Sequence, residues 1–169
     1  VPLRVAWADT EPAVQGRVHA GVIRDGRLQV SCGALLTPDR RRAEVHLAVR
    51  DRTGALVAEH DEDLHRDGGF WTGKVEIAIP DQAGSCRLGL SLRADGTRGL
   101  ASWETTVAVI PSGWPDATQQ RLATAPARER PSLQLRLDAV LDALARGHPR
   151  DRVGALATTL DELVAMLTR

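Results

Sequence analysis

Between residues 28 and 110, apolar and polar residues alternate along the chain. Such a period of two marks strands with one face in a core and the other in water. Leu28, Val30, Cys32, Ala34 and Leu36 share one face of a strand over Arg27–Leu36. Val45, Leu47 and Val49 alternate with Glu44, His46 and Arg50, and Trp71, Val75, Ile77 and Ile79 share a face within Phe70–Ile79. Cys86, Leu88, Leu90 and Leu92 repeat the pattern, as do Trp103, Thr105, Val107 and Val109 within Leu100–Ile110. Gln15–Ile23 and Arg27–Leu36 flank Asp25-Gly26, which predicts a two-residue hairpin because both positions accept positive φ. Asp51–Gly54, Pro80–Ser85 and Asp95-Gly96 are further turns. Ala55–Glu59 is a short strand, followed by a polar loop over Glu59–Gly69. With Leu3–Trp7 the strands number about eight, and short strands with turns every ~8–12 residues predict an antiparallel β-sandwich. No helix intervenes to make a parallel crossover.

After Ile110 the period lengthens. Pro111, Gly113 and Pro115 form a break, and Asp116-Ala117-Thr118-Gln119 has the pattern of a capping box opening a short helix to about Thr124. Pro126–Pro131 breaks the chain again. Leu133, Leu137, Val140, Leu141 and Leu144 then recur at helical spacing as far as Gly147. Val153, Leu156, Leu160, Leu163, Val164 and Leu167 do the same after His148-Pro149. The organisation is therefore a sandwich over 1–110, a linker with a short helix over 111–131 and a helical hairpin over 132–169. Helices this short are marginal alone. Leu137, Val140, Leu144, Leu156, Leu160 and Leu163 are expected to meet across the hairpin. The rest of each stripe must be covered by the sandwich, by a protein partner or by a second copy of the chain.

Composition narrows the function. Apolar residues are 43% and charged residues 26%, so the chain folds rather than remaining disordered. A formal net charge of zero argues against nucleic acid as a partner. No apolar run approaches the ~18 residues of a membrane span. The chain opens on Val1 without a signal peptide's apolar stretch. A cytoplasmic location is the default, and an extracellular one follows if the chain is a segment of a secreted protein. Arginine outnumbers lysine 21 to 1, Lys74 being the lysine, as G+C-rich bacterial genomes encode. The aromatic residues are Trp7, Phe70, Trp71, Trp103 and Trp114. A stacking platform for sugars would fall to Trp7 or Trp114.

No enzyme motif is present, so no catalytic residue and no cofactor is expected. The densest chemistry is Glu59, His60, Asp61, Asp63, His65 and Asp67. Its oxygens suit calcium and its His-carboxylate mixture suits zinc, while a solvated loop without metal is the alternative. Arg40, Arg41 and Arg42, with Arg50 and Arg52, form either an anion patch or a solvated surface, the two groups lying at opposite ends of one strand. Cys32 and Cys86 both occupy core-facing positions, as buried thiols or as a disulfide.

Pro80-Asp81-Gln82-Ala83-Gly84-Ser85-Cys86-Arg87-Leu88 resembles the turn entering the penultimate strand of immunoglobulin-like domains. The resemblance implies an immunoglobulin-like sandwich with Cys32 and Cys86 as the staple between its sheets. The chain departs from it in having Gly84 at the corner-tyrosine position and no Trp on the strand after Cys32, leaving Trp71 and Trp103 to fill that volume. Asp25–Val30, Ala43–Arg50 and Gly69–Trp71 together resemble β-sandwich modules appended to bacterial cell-surface glycosyltransferases, over about residues 14–110. This second likeness implies a non-catalytic accessory module that helps an enzyme oligomerise or positions a polysaccharide. Three functions are thus in play: an accessory or protein-interaction module, a carbohydrate-binding module, and a metal-dependent enzyme using residues 59–67.

Overall fold

The computed structural model describes residues 11–80, 82–111, 113–146 and 153–168. The expected strand Leu3–Trp7 lies outside them. The strands are β1 (Ala13–Val18), β2 (Val22–Ile23), β3 (Arg27–Leu35), β4 (Ala43–Arg50), β5 (Leu56–Asp67), β6 (Phe70–Ala78), β7 (Gly84–Ala94) and β8 (Thr97–Val109). They form one curled sheet in the order β1-β3-β6-β5-β4-β7-β8-β2. Every pair is antiparallel except β2 with β8. The curl stacks β1, β3 and β6 over β4, β7 and β8, and the alternating apolar residues fill the space between, Val45, Leu47, Val49, Leu88 and Leu92 being fully buried. The fold is an antiparallel β-sandwich followed by helices, as the alternation predicts. Where β1 crosses β8 the layers come very close. A Cβ on Gly16 would lie 2.4 Å from the Trp103 ring, so only glycine fits.

Two expectations fail locally. The first is the two-residue hairpin at Asp25-Gly26. β1 does pair with β3, but in the register Val18↔Val30, so the connection is longer. Val22 and Ile23 leave β1 to pair in parallel with Ala108 and Val109. Gly26 keeps its positive φ of 69° and its carbonyl accepts the Ile79 N–H at 2.7 Å. The second is the polar loop over 59–69, which is most of β5. Leu56–Leu64 pairs with β4, and His65–Asp67 crosses to pair with β6. Its side chains are largely polar on both faces because it turns the corner between the layers. The backbone ladder holds it regardless, reinforced by Asp61 on His46 at 2.6 Å and Asp63 on Arg42 at 2.9 Å.

The tail comprises α1 (Trp114–Thr124), α2 (Arg130–Arg146) and α3 (Val153–Leu167). α1 begins earlier than the capping-box pattern implies. Gly113, at φ 75°, takes the cap position without a side-chain bond, and Pro115 enters the first turn. Asp116 therefore sits inside that turn, where its charge suits the helix dipole. α3 lies between the sheet and α2. Leu156, Leu160 and Leu163 pack with Leu133, Leu137 and Val140 on one side and with Ala108 and Ile110 on the other. The sandwich itself therefore covers the stripe that was a candidate partner surface. Leu144 is half-buried, and its carbonyl accepts the Arg24 guanidinium at 3.1 Å. Burying each leucine is worth about 1.5–3 kcal/mol. Among the described residues no helix is long and apolar enough to cross a membrane.

Candidate functional site

A concavity runs along the seam between sandwich and tail. Its first wall is the β4–β5 turn. Asp51 Oδ1 accepts the Thr53 amide at 2.8 Å, the Thr53 hydroxyl at 2.6 Å and the Ala55 amide at 3.0 Å. These bonds, the Thr53 hydroxyl foremost, hold the Asp51 carboxyl below the usual carboxylate range. Gly54 supplies the positive φ of 88° that the turn needs. Arg52 projects from this rigid turn.

The second wall is the start of β7, fastened to α3. Asp161 accepts the Ser85 amide at 2.7 Å and also the Ser85 hydroxyl. A Cβ on Gly84 would lie 2.9 Å from Asp161 Oδ1, and Gly84 adopts φ 136°. Glycine is therefore required for β7 and α3 to close on each other. The third wall is one face of α1, where Trp114, Ala117, Thr118 and Arg121 recur at helical spacing.

Together these walls enclose a cleft of about 470 Å³. A neighbouring hollow of about 480 Å³ shares Asp51, Arg52, Thr53 and Ser85 with it and adds Arg50, Arg87 and Asp161. Arg50 donates to the Gly54 carbonyl at 3.2 Å. Among the described residues Arg52, Arg87 and Arg121 make no ion pair. Thr118 is only 3% exposed, yet its hydroxyl has no hydrogen-bond partner among the described residues. The seam thus presents cationic forks and a hydroxyl beside an apolar floor of Pro111, Trp114 and Leu167.

Sequence reasoning singled out Arg50 and Arg52 but not their neighbours here. The arginines of 40–42 are at the far end of β4. Arg42 is engaged by Asp63, and Arg40 lies 3.9 Å from Asp95. Arg87 and Arg121 come from distant segments, and only the helical spacing from Trp114 to Arg121 hinted at a shared face.

The metal candidates are spread along an extended strand. Glu59, Asp61, Asp63, His65 and Asp67 alternate with His60 and Glu62 on β5. Asp61 is held by His46 and Arg93, Asp63 by Arg42, and His60 lies 3.2 Å from Glu62. The His46 ring, ahead of Arg93, lowers the Asp61 pKa. Among the described residues no three His, Cys, Asp or Glu side chains gather where a metal ion would sit.

Cys32 and Cys86 are both core residues, but they are free thiols and not a staple. Glu62 acts on Cys32, whereas Asp51 and Asp161 act on Cys86. Glu62 pairs with Val45, and Asp51 follows the other end of β4. About six residues of strand, roughly 20 Å, separate those levels. Burial, with a smaller push from Glu62, raises the Cys32 pKa to about 11, and burial raises that of Cys86 as well.

The ring platform is not formed by Trp114, which is 9% exposed at the base of the seam, and Trp7 lies outside the described residues. Trp71 is buried under the Arg66 guanidinium, and Trp103 packs against the core. Phe70 is exposed at the tip of the β5–β6 hairpin.

No protein-family model matches the chain, and no curated protein matches it. Solved structures similar to it include a β-glucuronidase from glycoside hydrolase family 2, at 10% identity and TM-score 0.45, over 59% of this chain and 13% of that one. The C-terminal domain of Wzt is similar at 10% identity and TM-score 0.47, over 59% of this chain and 71% of that one. Red sea bream transglutaminase is similar at 13% identity and TM-score 0.44, over 58% of this chain and 15% of that one. This chain thus spans less than a fifth of the glucuronidase and of the transglutaminase.

Proposed function

We propose that this chain is a non-catalytic accessory module of a larger bacterial protein, and that it works by binding at the seam between its sandwich and its helices. The observation that carries this is the seam itself. Arg52 and Arg121, without an ion pair among the described residues, and the Thr118 hydroxyl, without a partner among them, line one cleft, the arrangement of groups that recognise without reacting. The acids nearby, Asp51 and Asp161, are occupied as structural acceptors and are not poised as bases. A place beside a cell-surface glycosyltransferase accords with the strand pattern over about residues 14–110.

A thermal-shift panel of neutral sugars, phosphorylated and carboxylated small molecules and short peptides tests this. At least one class should stabilise the wild-type chain and fail to stabilise an Arg52→Gln/Arg121→Gln double variant, and the bound compound should be recovered chemically unchanged. Stabilisation that persists in the double variant, or conversion of the compound, overturns the proposal.

A further inference from the structure

We infer that the seam cleft takes a small anionic ligand, gripping a phosphate or carboxylate group between Arg52 and Arg121 with the Thr118 hydroxyl as a third donor. This rests on the seam being the working surface, and adds the chemistry of what it holds. Charge balance is the first support. The chain as a whole is neutral. Around the cleft and its neighbouring hollow stand Arg50, Arg52, Arg87 and Arg121 against Asp51 and Asp161. Both carboxylates are consumed by hydrogen bonds to the protein, three on Asp51 and two on Asp161. Four guanidinium charges against two carboxylate charges still leave a local positive surplus among the described residues, and a concave wall concentrates its field.

Geometry is the second support. Arg52 stands on a turn locked by Asp51, and its stem passes 4.0 Å from where a Cβ on Gly84 would be. Arg121 stands on α1, across the same cleft. Two guanidinium forks from separate rigid elements suit an oxyanion better than ammonium groups would, because each donates two parallel bonds. Thr118 is the third support. Thr118 is 3% exposed and lines the cleft, and its hydroxyl, without a partner among the described residues, is a donor available at the cleft wall. Pro111, Trp114 and Leu167 give the remainder of the ligand an apolar bed. About 470 Å³ lies within the range of ~300–1,000 Å³ usual for small-molecule sites.

Isothermal titration with inorganic pyrophosphate and with citrate, at fixed ionic strength, tests the inference and separates phosphate from carboxylate chemistry. At least one anion should bind saturably at one site per chain. Arg52→Gln and Arg121→Gln should each weaken it by about tenfold or more, the loss of a charge-assisted bond. Thr118→Val should weaken it severalfold, while Arg98→Gln, on the distant β7–β8 hairpin, should not. Absence of binding by both anions, or equal weakening by Arg98→Gln and Arg121→Gln, overturns the inference. A neutral sugar or peptide that binds the seam in the thermal-shift panel, with neither anion binding, would overturn the anionic class alone. Failure of every compound at the seam would overturn the accessory-module proposal as well.

Discussion

The sandwich interior and the cluster beneath the helices are both made of buried apolar side chains, yet they are built in different ways. In the interior, alternation along every strand delivers one apolar face, and Leu47 and Leu88 are buried by two layers of the same kind. Beneath the helices, the outer face of β8 must change character partway along. Ser102, Glu104 and Thr106 are outward-facing and polar or charged, and then Ala108 and Ile110 on the same face are buried against α3. The interior is specified by repetition, whereas the helical cluster depends on a short stretch of strand and on few polar fastenings, Asp161 with Ser85 and Arg24 with the Leu144 carbonyl. Dependence on few contacts makes the second region the more sensitive to single changes. A cleft whose arginines make no ion pair among the described residues lies along its border.

The largest effects should come from the two cores themselves. Leu47→Ala and Leu160→Ala each remove a fully buried side chain, and each should cost about 2–5 kcal/mol. Urea unfolding followed by tryptophan fluorescence and by helical circular dichroism should give one coincident transition for both variants. A separate, earlier loss of helix in Leu160→Ala would show the tail to be an independent unit. Next comes the fastening. Asp161→Ala leaves the Ser85 amide without its acceptor and should cost about 1–3 kcal/mol, with faster hydrogen exchange at Ser85 and unchanged exchange at Leu47.

A smaller and kinetic difference concerns the thiols. A pKa raised to about 11 leaves Cys32 almost wholly protonated at pH 8, and Cys86 is shifted the same way. Iodoacetamide should therefore label neither in the folded protein and both in urea. Fast native labelling of Cys32 would contradict its burial. The smallest effect belongs to the open surface. The depressed Asp61 pKa means that its stabilisation is present above the ordinary carboxylate pKa of about 4 and is lost as pH falls through the folded value. Asp61→Asn should lower stability by less than about 1 kcal/mol at neutral pH and reduce the acid sensitivity of the melting temperature.

Much of the sandwich was legible because burial on one face writes itself into a period of two. β3, β4 and β7 are of this kind, and the helical stripes over 133–144 and 153–167 were legible for the same reason at a longer period. β5 was not, because it turns between layers and leaves few side chains buried, so the backbone pairing that defines it has no apolar signature. The seam was legible only in part. Arg50 and Arg52 stand out in the chain, but nothing local connects them with Thr118 or Arg121. The run Val107-Ala108-Val109-Ile110, apolar at both parities, did carry a signal. It marks a strand end buried on both faces, and so the place where the tail had to dock.

β5 belongs to both layers, and this decides how the molecule breathes. A sandwich whose sheets are joined only by loops can slide or separate along either side. Here one side is bound by a continuous ladder from β4 through β5 to β6, while on the other only the two-residue β2 pairs with the end of β8, and the rest is closed by contact, Gly16 of β1 resting on the Trp103 ring. The two layers behave as the covers of a book with β5 as its spine. Partial opening is therefore expected to start on the margin where contact alone joins β1 to β8, exposing Trp103 to water.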